Sequence, residues 1–118
     1  MSKQTIAIDF DGVLHKYSKG WHDGTIYDGP VEGSLEAVKK LSKKYDVVIF
    51  TARLANLNQD DKIAKIFEIT TWLLKNGFIK LIKNVTGQKP KAVLYIDDRA
   101  LHFTDWQNAL KETKERLK

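Results

Sequence analysis

Two groups of aspartates carry the chemistry this chain can do: Asp9-x-Asp11 near its start and Asp97-Asp98 towards its end. Side chains alternate along an extended strand, so residues i and i+2 point the same way. If the chain stays extended through Asp11, both carboxylates reach one spot just beyond the strand Thr5-Ile6-Ala7-Ile8. Like charges held that close repel, and burying them unpaired is costly. A divalent cation with a taste for hard oxygen ligands offsets that cost, and Mg²⁺ is the usual one. The plain alternative is an Asp-Gly turn after a strand, because Asp11-Gly12 are ordinary turn residues. Two further features weigh against it. A second apolar run, Asp46 to Phe50, ends in Thr51, and Lys89 and Lys91 stand just before the run that ends in Asp97-Asp98. A carboxylate nucleophile, a hydroxyl, an ammonium and an acidic metal cradle are what phosphoryl transfer through an aspartyl-phosphate requires. Charge neutralisation by the metal and the lysine supplies most of the catalysis in such reactions.

The elements that must position these groups follow from periodicity. Thr5–Ile8, Asp46–Thr51 and Ala92–Ile96 are short apolar runs of the kind buried on both faces of a parallel sheet, and Ile79–Ile82 is a weaker, lysine-interrupted strand. Pro30 opens a helix expected over Val31–Lys44, with Leu35, Val38 and Leu41 inward. A second helix is expected over Asp60–Asn76, with Ile63, Ile66, Phe67, Thr70, Leu73 and Leu74 as its inner stripe and Gly77 as its stop. Val85–Lys91 reads as a loop. Thr104 or Asp105 caps a last amphipathic helix carrying Trp106, Leu110 and Leu117. Between the first strand and first helix lies a glycine-rich flap, Leu14 to Pro30, with Tyr17, Trp21, His22 and Tyr27. Loops of this length are usually functional, and Thr25–Tyr27 is a candidate hairpin arm. Strands alternating with helices imply α/β architecture: a three-layer Rossmann-like sandwich, mainly parallel, spanning residues 1–118 as one domain. The carboxyl ends of all its strands then lie on one edge, where open α/β sheets bind ligands.

Composition excludes several classes. The 118 residues contain no cysteine, so there is no disulfide frame, thiol nucleophile or thiolate zinc site. Hydrophobic content of 42% and charged content of 30% suit a soluble globular chain, and no apolar run approaches a membrane span. Met1-Ser2-Lys3-Gln4 leads into the first strand without a signal-peptide pattern, so a cytoplasmic location is the expectation. The net charge of +5 resides largely on helix-face lysines, Lys39, Lys40, Lys43, Lys44, Lys111, Lys114 and Lys118, a pattern typical of a solvated face. The remaining use of that field is to attract an anionic partner, a nucleotide or nucleic acid.

Asp9-Phe10-Asp11-Gly12-Val13, Thr51, Lys89 or Lys91, and Asp97-Asp98 resemble, in order, the four motifs of the haloacid dehalogenase (HAD) superfamily. The resemblance implies that Asp9 is the nucleophile and that Asp11 is the general acid, then the base that activates water. Thr51 would hydrogen-bond the phosphoryl oxygens and the lysine would steady nucleophile and phosphoryl group. Asp97 and Asp98, with Asp9 and the backbone carbonyl of Asp11, would ligate Mg²⁺. Lys89-Pro90 is similar to the Lys-Pro of many members, whereas Lys91 sits nearer the strand, and both remain candidates. A carboxylate at Asp11 resembles the phosphatase branch rather than the dehalogenases. Neither gap between motifs has room for a cap domain, and by resemblance capless members often act on large or exposed phosphates (phosphoproteins, nucleic-acid ends, some nucleotides) or rely on a partner to close the site.

Several residues have two readings. Arg53 and Arg99 directly follow Thr51 and the acidic pair, so each is a candidate for binding the substrate phosphate or for a structural ion pair with a site carboxylate. Trp21 either stacks on a substrate base or pins the flap. His15 and His102 read as surface or loop-packing residues, since hard carboxylate sites disfavour imidazole-binding metals. Two rival functions remain: a HAD-fold binding module without turnover, and a receiver-type phospho-acceptor domain. A receiver carries its lone acceptor aspartate on a middle strand, where this chain has Thr51.

Overall fold

The computed structural model describes residues 3–100 and 102–117; the expectations for Met1-Ser2 and Lys118 lie outside the described residues. Strand β1 is Gln4–Ile8, helix α1 Ser34–Lys44, β2 Tyr45–Phe50, α2 Gln59–Lys75, β3 Ile82–Thr86, β4 Leu94–Ile96 and α3 Trp106–Arg116. All pairings are parallel, in the order β3-β2-β1-β4. With helices flanking the sheet, this is the three-layer, Rossmann-like α/β arrangement expected from the sequence.

The two central strands are buried as a continuous apolar run requires. Ile6, Ile8, Val47 and Ile49 point into one cluster with Val38 of α1 and Ile69, Trp72 and Leu73 of α2. Ala7 and Val48, on the opposite face by alternation, are buried as well. Each such aliphatic side chain contributes roughly 1.5–3 kcal/mol by leaving water. Helix α2 stops in a complete Schellman turn: Gly77 takes φ +84°, its N–H donates to Leu74 O, and Phe78 N–H donates to Leu73 O at 2.9 Å.

Four local expectations are corrected. Helix α1 begins at Ser34, three residues later than expected, because Pro30 bridges to His15 and Val31 N–H donates to Leu14 O at 2.7 Å. Those pairings hold Pro30 and Val31 to the flap's neck and leave Gly33, at φ +83°, as the N-cap. Ile79–Leu81 is a 3₁₀ turn rather than a strand, and β3 instead uses Ile82–Thr86, taking Val85 and Thr86 from the expected loop. Fully buried Phe78 anchors that turn, and the pairing of Val85 with Ile49 and of Thr86 with Phe50 sets the strand. On α2, Leu73 of the expected stripe is buried and Ile66 packs against the core, but Ile63, Phe67 and Leu74 are 57%, 73% and 64% exposed, and Ile69 and Trp72 complete the buried face instead. Trp72 decides that rotation: its ring packs edge-on against Phe10 and is stacked with Phe78. Thr25–Tyr27 forms no hairpin arm; turns build the flap.

The flap is nonetheless cross-braced. Asp28 accepts from Ser18 N–H and Oγ–H at 2.8 and 2.6 Å, and the Tyr27 hydroxyl donates to Gly20 O at 2.8 Å. Trp72 Nε1–H donates to Asp28 O at 2.9 Å, pinning the flap to α2. Among the described residues, no helix is long and apolar enough to cross a membrane.

Candidate active site at the carboxyl edge of the sheet

Strand β1 delivers its acids to the sheet edge by simple alternation. Asp9 N–H continues the ladder to Ile96 O at 2.9 Å, and Phe10 turns fully into the core. Phe10 O accepts the N–H of Leu14 and of His15, each at 2.9 Å, which bends the chain back directly after Asp11. Gly12 makes this bend possible. It takes φ +84°, and a Cβ there would lie 2.2 Å from Asp98 Oδ2. Only glycine lets β1's exit approach the acidic pair after β4 so closely.

Asp9, Asp97 and Asp98 each present a carboxylate oxygen, and these oxygens lie within 4.8 Å of one another. Burial, followed by repulsion from Asp97, Asp11 and Asp98, pushes the Asp9 carboxyl up from 3.8 to about 6, although the Phe10 N–H at 2.7 Å from its Oδ1 acts in the opposite sense. Three crowded carboxylates are a hard-oxygen donor set suited to a divalent cation. Asp97 Oδ1 also accepts Arg99 N–H at 2.8 Å.

Asp11 is handled differently. Its Oδ2 accepts Arg53 Nε–H at 2.7 Å, and its Oδ1 accepts from Arg53 at 3.1 Å and from His15 Nδ1 at 2.8 Å. The tautomer of His15 follows from its other nitrogen. Nε2 lies 3.0 Å from Asp28 N–H and must accept, so Nδ1 carries the proton that is donated to Asp11. His15 is fully buried. It packs the loop, as its sequence context suggested, and also holds a site carboxylate.

A cleft of about 290 Å³ is lined by Asp9, Asp11, Asp97, Asp98, Arg99 and the flap residue Tyr17, among others. A wider cleft of about 610 Å³ adjoins it, sharing Asp9 and Asp97 and adding Lys89, Tyr95, His102 and Phe103. Lys89 Nζ rests 4.7 Å from the centre of the Tyr95 ring. Lys91 is exposed and lines neither cleft. Thr51 is buried at the end of β2, its hydroxyl accepting Arg53 N–H at 3.2 Å to cap the 3₁₀ turn Ala52–Leu54. It does not line either cleft.

The remaining candidates separate clearly. Arg99 lines the acidic cleft. Arg53 is 5% exposed and its guanidinium is spent on Asp11 and on Gly24 O at 2.8 Å, the ion-pair reading rather than an open phosphate ligand. Trp21 lies over that guanidinium, 5.3 Å from ring centre to Cζ, and lines neither cleft. Tyr17, which carried no assigned role, is the flap residue that reaches the acids. Its φ of +60° is uncommon for a bulky side chain and a flag for function. No periodicity marks such a residue.

The chain is thus a Rossmann-like α/β domain with an acidic site at its strand ends. It is similar in fold to the solved structure of a conserved protein from Bacteroides thetaiotaomicron, at 21% identity over 98% of this chain and 93% of that chain, with a TM-score of 0.57. That likeness bears on the fold alone. No protein-family model and no curated protein matches the chain.

Proposed function

We propose that the protein is a Mg²⁺-dependent phosphohydrolase of the HAD type, cleaving phosphate monoesters through an aspartyl-phosphate at Asp9. The observation that carries this reading is the gathering of Asp9, Asp97 and Asp98 oxygens within 4.8 Å at the sheet edge, with Asp11 lining the same cleft. Asp9, Asp97 and Asp98 would hold the ion, which when bound neutralises charge on the transferring phosphoryl group.

In the first half-reaction an Asp9 oxygen forms a bond to phosphorus as the P–O ester bond breaks, and protonated Asp11 gives its proton to the leaving oxygen. In the second, Asp11 takes a proton from water, the water oxygen bonds to phosphorus and the Asp9–phosphorus link breaks. In this reading the hydrogen bonds that Asp11 accepts from Arg53 and His15 orient it towards the cleft for both halves. By resemblance Lys89, which lines the wider cleft, would steady the phosphoryl group, whereas Thr51, buried and capping the turn Ala52–Leu54, would have to turn its hydroxyl out to take its expected role. Arg99 is the open cation of the acidic cleft and binds substrate phosphate in this reading.

The wide cleft beside Asp9 leaves room for a sizeable leaving group, and the flap brings Tyr17 to the adjoining acidic cleft. Nucleotides, nucleic-acid ends and other exposed phosphates fit that openness, and the chain's net charge of +5 suits an anionic substrate in the cytoplasm. The test is phosphate release from an aryl phosphate with and without Mg²⁺, comparing wild type with Asp9→Asn. Metal-dependent release lost in the variant is the expected result. Activity equal in the two proteins would remove Asp9 as nucleophile.

A further inference from the structure

We propose that Arg53 is a positioning residue that couples the flap to Asp11, so that Trp21 acts on the reaction through Arg53 rather than by touching substrate. The catalytic part of this proposal rests on the phosphohydrolase reading above. Three elements converge on one guanidinium. From the end of β2, the Thr51-capped turn carries Arg53 inward, where it is 5% exposed. From β1, Asp11 takes two of its donors, at 2.7 and 3.1 Å. From the flap, Gly24 O takes a third at 2.8 Å, while the rings of Trp21 and Tyr17 stand 5.3 and 5.7 Å from Cζ. Both ring distances are within cation–π range.

The flap is shaped for this contact. Gly24 takes φ +81°, and a Cβ there would lie 2.9 Å from Trp21 Cζ2, so Trp21 lies flush against the backbone whose carbonyl holds Arg53. Opening the flap removes the carbonyl and both rings from the guanidinium together. Asp11 then keeps a fork whose other side is unsupported, and its carboxylate is no longer fixed. A lysine cannot substitute, because one ammonium does not span two carboxylate oxygens and a carbonyl in a plane.

The experiment compares Arg53→Ala, Arg53→Lys and Trp21→Ala with wild type. It follows aryl phosphate hydrolysis with Mg²⁺ and, separately, tryptic cleavage after the exposed flap residues Lys16 and Lys19, read by mass spectrometry. Arg53→Ala is expected to lower kcat by about 100-fold, the scale of a misplaced catalytic group. KM should move by less than about threefold. Arg53→Lys should stay close to the alanine variant, and added methylguanidine should restore Arg53→Ala by about tenfold or more. Flap cleavage should accelerate in all three variants. A raised KM with kcat intact would make Arg53 a substrate ligand and overturn the proposal, as would unchanged flap cleavage. Should Arg53→Ala not fold, Trp21→Ala removes only an exposed ring, and its failure to alter either kcat or cleavage overturns the coupling. A wild type inactive on every phosphate ester would remove the phosphohydrolase reading, and the cleavage rates alone would then decide the clamp.

Discussion

Asp9 and Asp11 leave the same strand one residue apart, yet the two sides of the site treat them in opposite ways. On the flap side, Asp11 is held by a guanidinium and an imidazole that are themselves bonded to Gly24 and Asp28. On the β4 side, Asp9 faces Asp97 and Asp98, with no cation of the described residues paired to it. The first side is satisfied from within the chain. On the second, the carboxylates are crowded together and could hold a cation from outside. Packing follows the same division: Phe10, His15 and Trp72 stack into the core beneath the flap, whereas Leu94, Phe103, Trp106 and Leu110 on the other side are all more than half exposed. The flap side fixes geometry, and the β4 side is where the proposed reading places ion and substrate.

The largest effect that would sharpen this contrast is Trp72→Ala. Trp72 meets Phe10, His15 and Phe78 and pins the flap through Asp28 O, so its loss should cost about 3–5 kcal/mol. Urea denaturation measures it, with flap proteolysis rising in parallel. A cost below about 1 kcal/mol would mean the flap side is not the better-packed one.

Gly12→Ala probes where the two sides meet. A side chain at φ +84° that meets the Asp98 carboxylate must push that carboxylate away, at a cost of about 1–3 kcal/mol. Calorimetric titration with Mg²⁺ should show weaker binding in the variant than in wild type. Unchanged binding would show that Asp98 is no part of the cation site.

These contrasts were legible in the sequence to different depths. The sheet, its carboxyl edge and the acids on it could be read because periodicity two and the strand-end rule depend only on residue type and order. Asp9, Asp97 and Asp98 converge for that reason. Helix α2 is legible only in part: of the expected stripe Ile63, Ile66, Phe67, Thr70, Leu73 and Leu74, Leu73 is buried and Ile66 packs on the core, but a stripe turned towards Ile69 and Trp72 fits the same spacing. The choice between them is made by Phe10 and Phe78, residues far away in the chain. The hold of His15 on Asp11 and the reach of Tyr17 to the acids are not legible in the sequence, because an irregular flap has no period and their partners are set by backbone turns. Arg53 had two readings in the sequence, and only the buried position of its guanidinium separates them.

The charge imbalance gives a smaller effect with a definite sign. Asp9 is raised from 3.8 to about 6 in the folded chain, so the folded state holds that proton more tightly than the unfolded one. The associated stability is present in full below the unfolded value and is lost as pH rises through about 6. In EDTA, the Tm of wild type should therefore fall relative to Asp9→Asn between pH 4 and 7, opening a gap of about 5 °C after discounting for partial solvent screening. Mg²⁺ should close the gap above pH 6 by raising wild type alone. A gap that opens towards acid would reverse the assignment of Asp9 as the strained carboxylate.

The smallest effect is expected on the open side. In α3 only Ala109 is buried, while Leu110 is 67% exposed and Trp106 73%. Leu110→Lys adds a solvated charge to a residue that has little surface to lose, so the change in stability should stay within about 0.5 kcal/mol. Ala109→Leu, one residue away, forces extra volume into a filled contact and should cost about 1–3 kcal/mol. Urea denaturation of both variants tests the direction in which α3 faces. If Leu110→Lys proves the more damaging of the two, Leu110 is covered in solution, and the asymmetry between the two sides of the site would belong to the carboxylates alone.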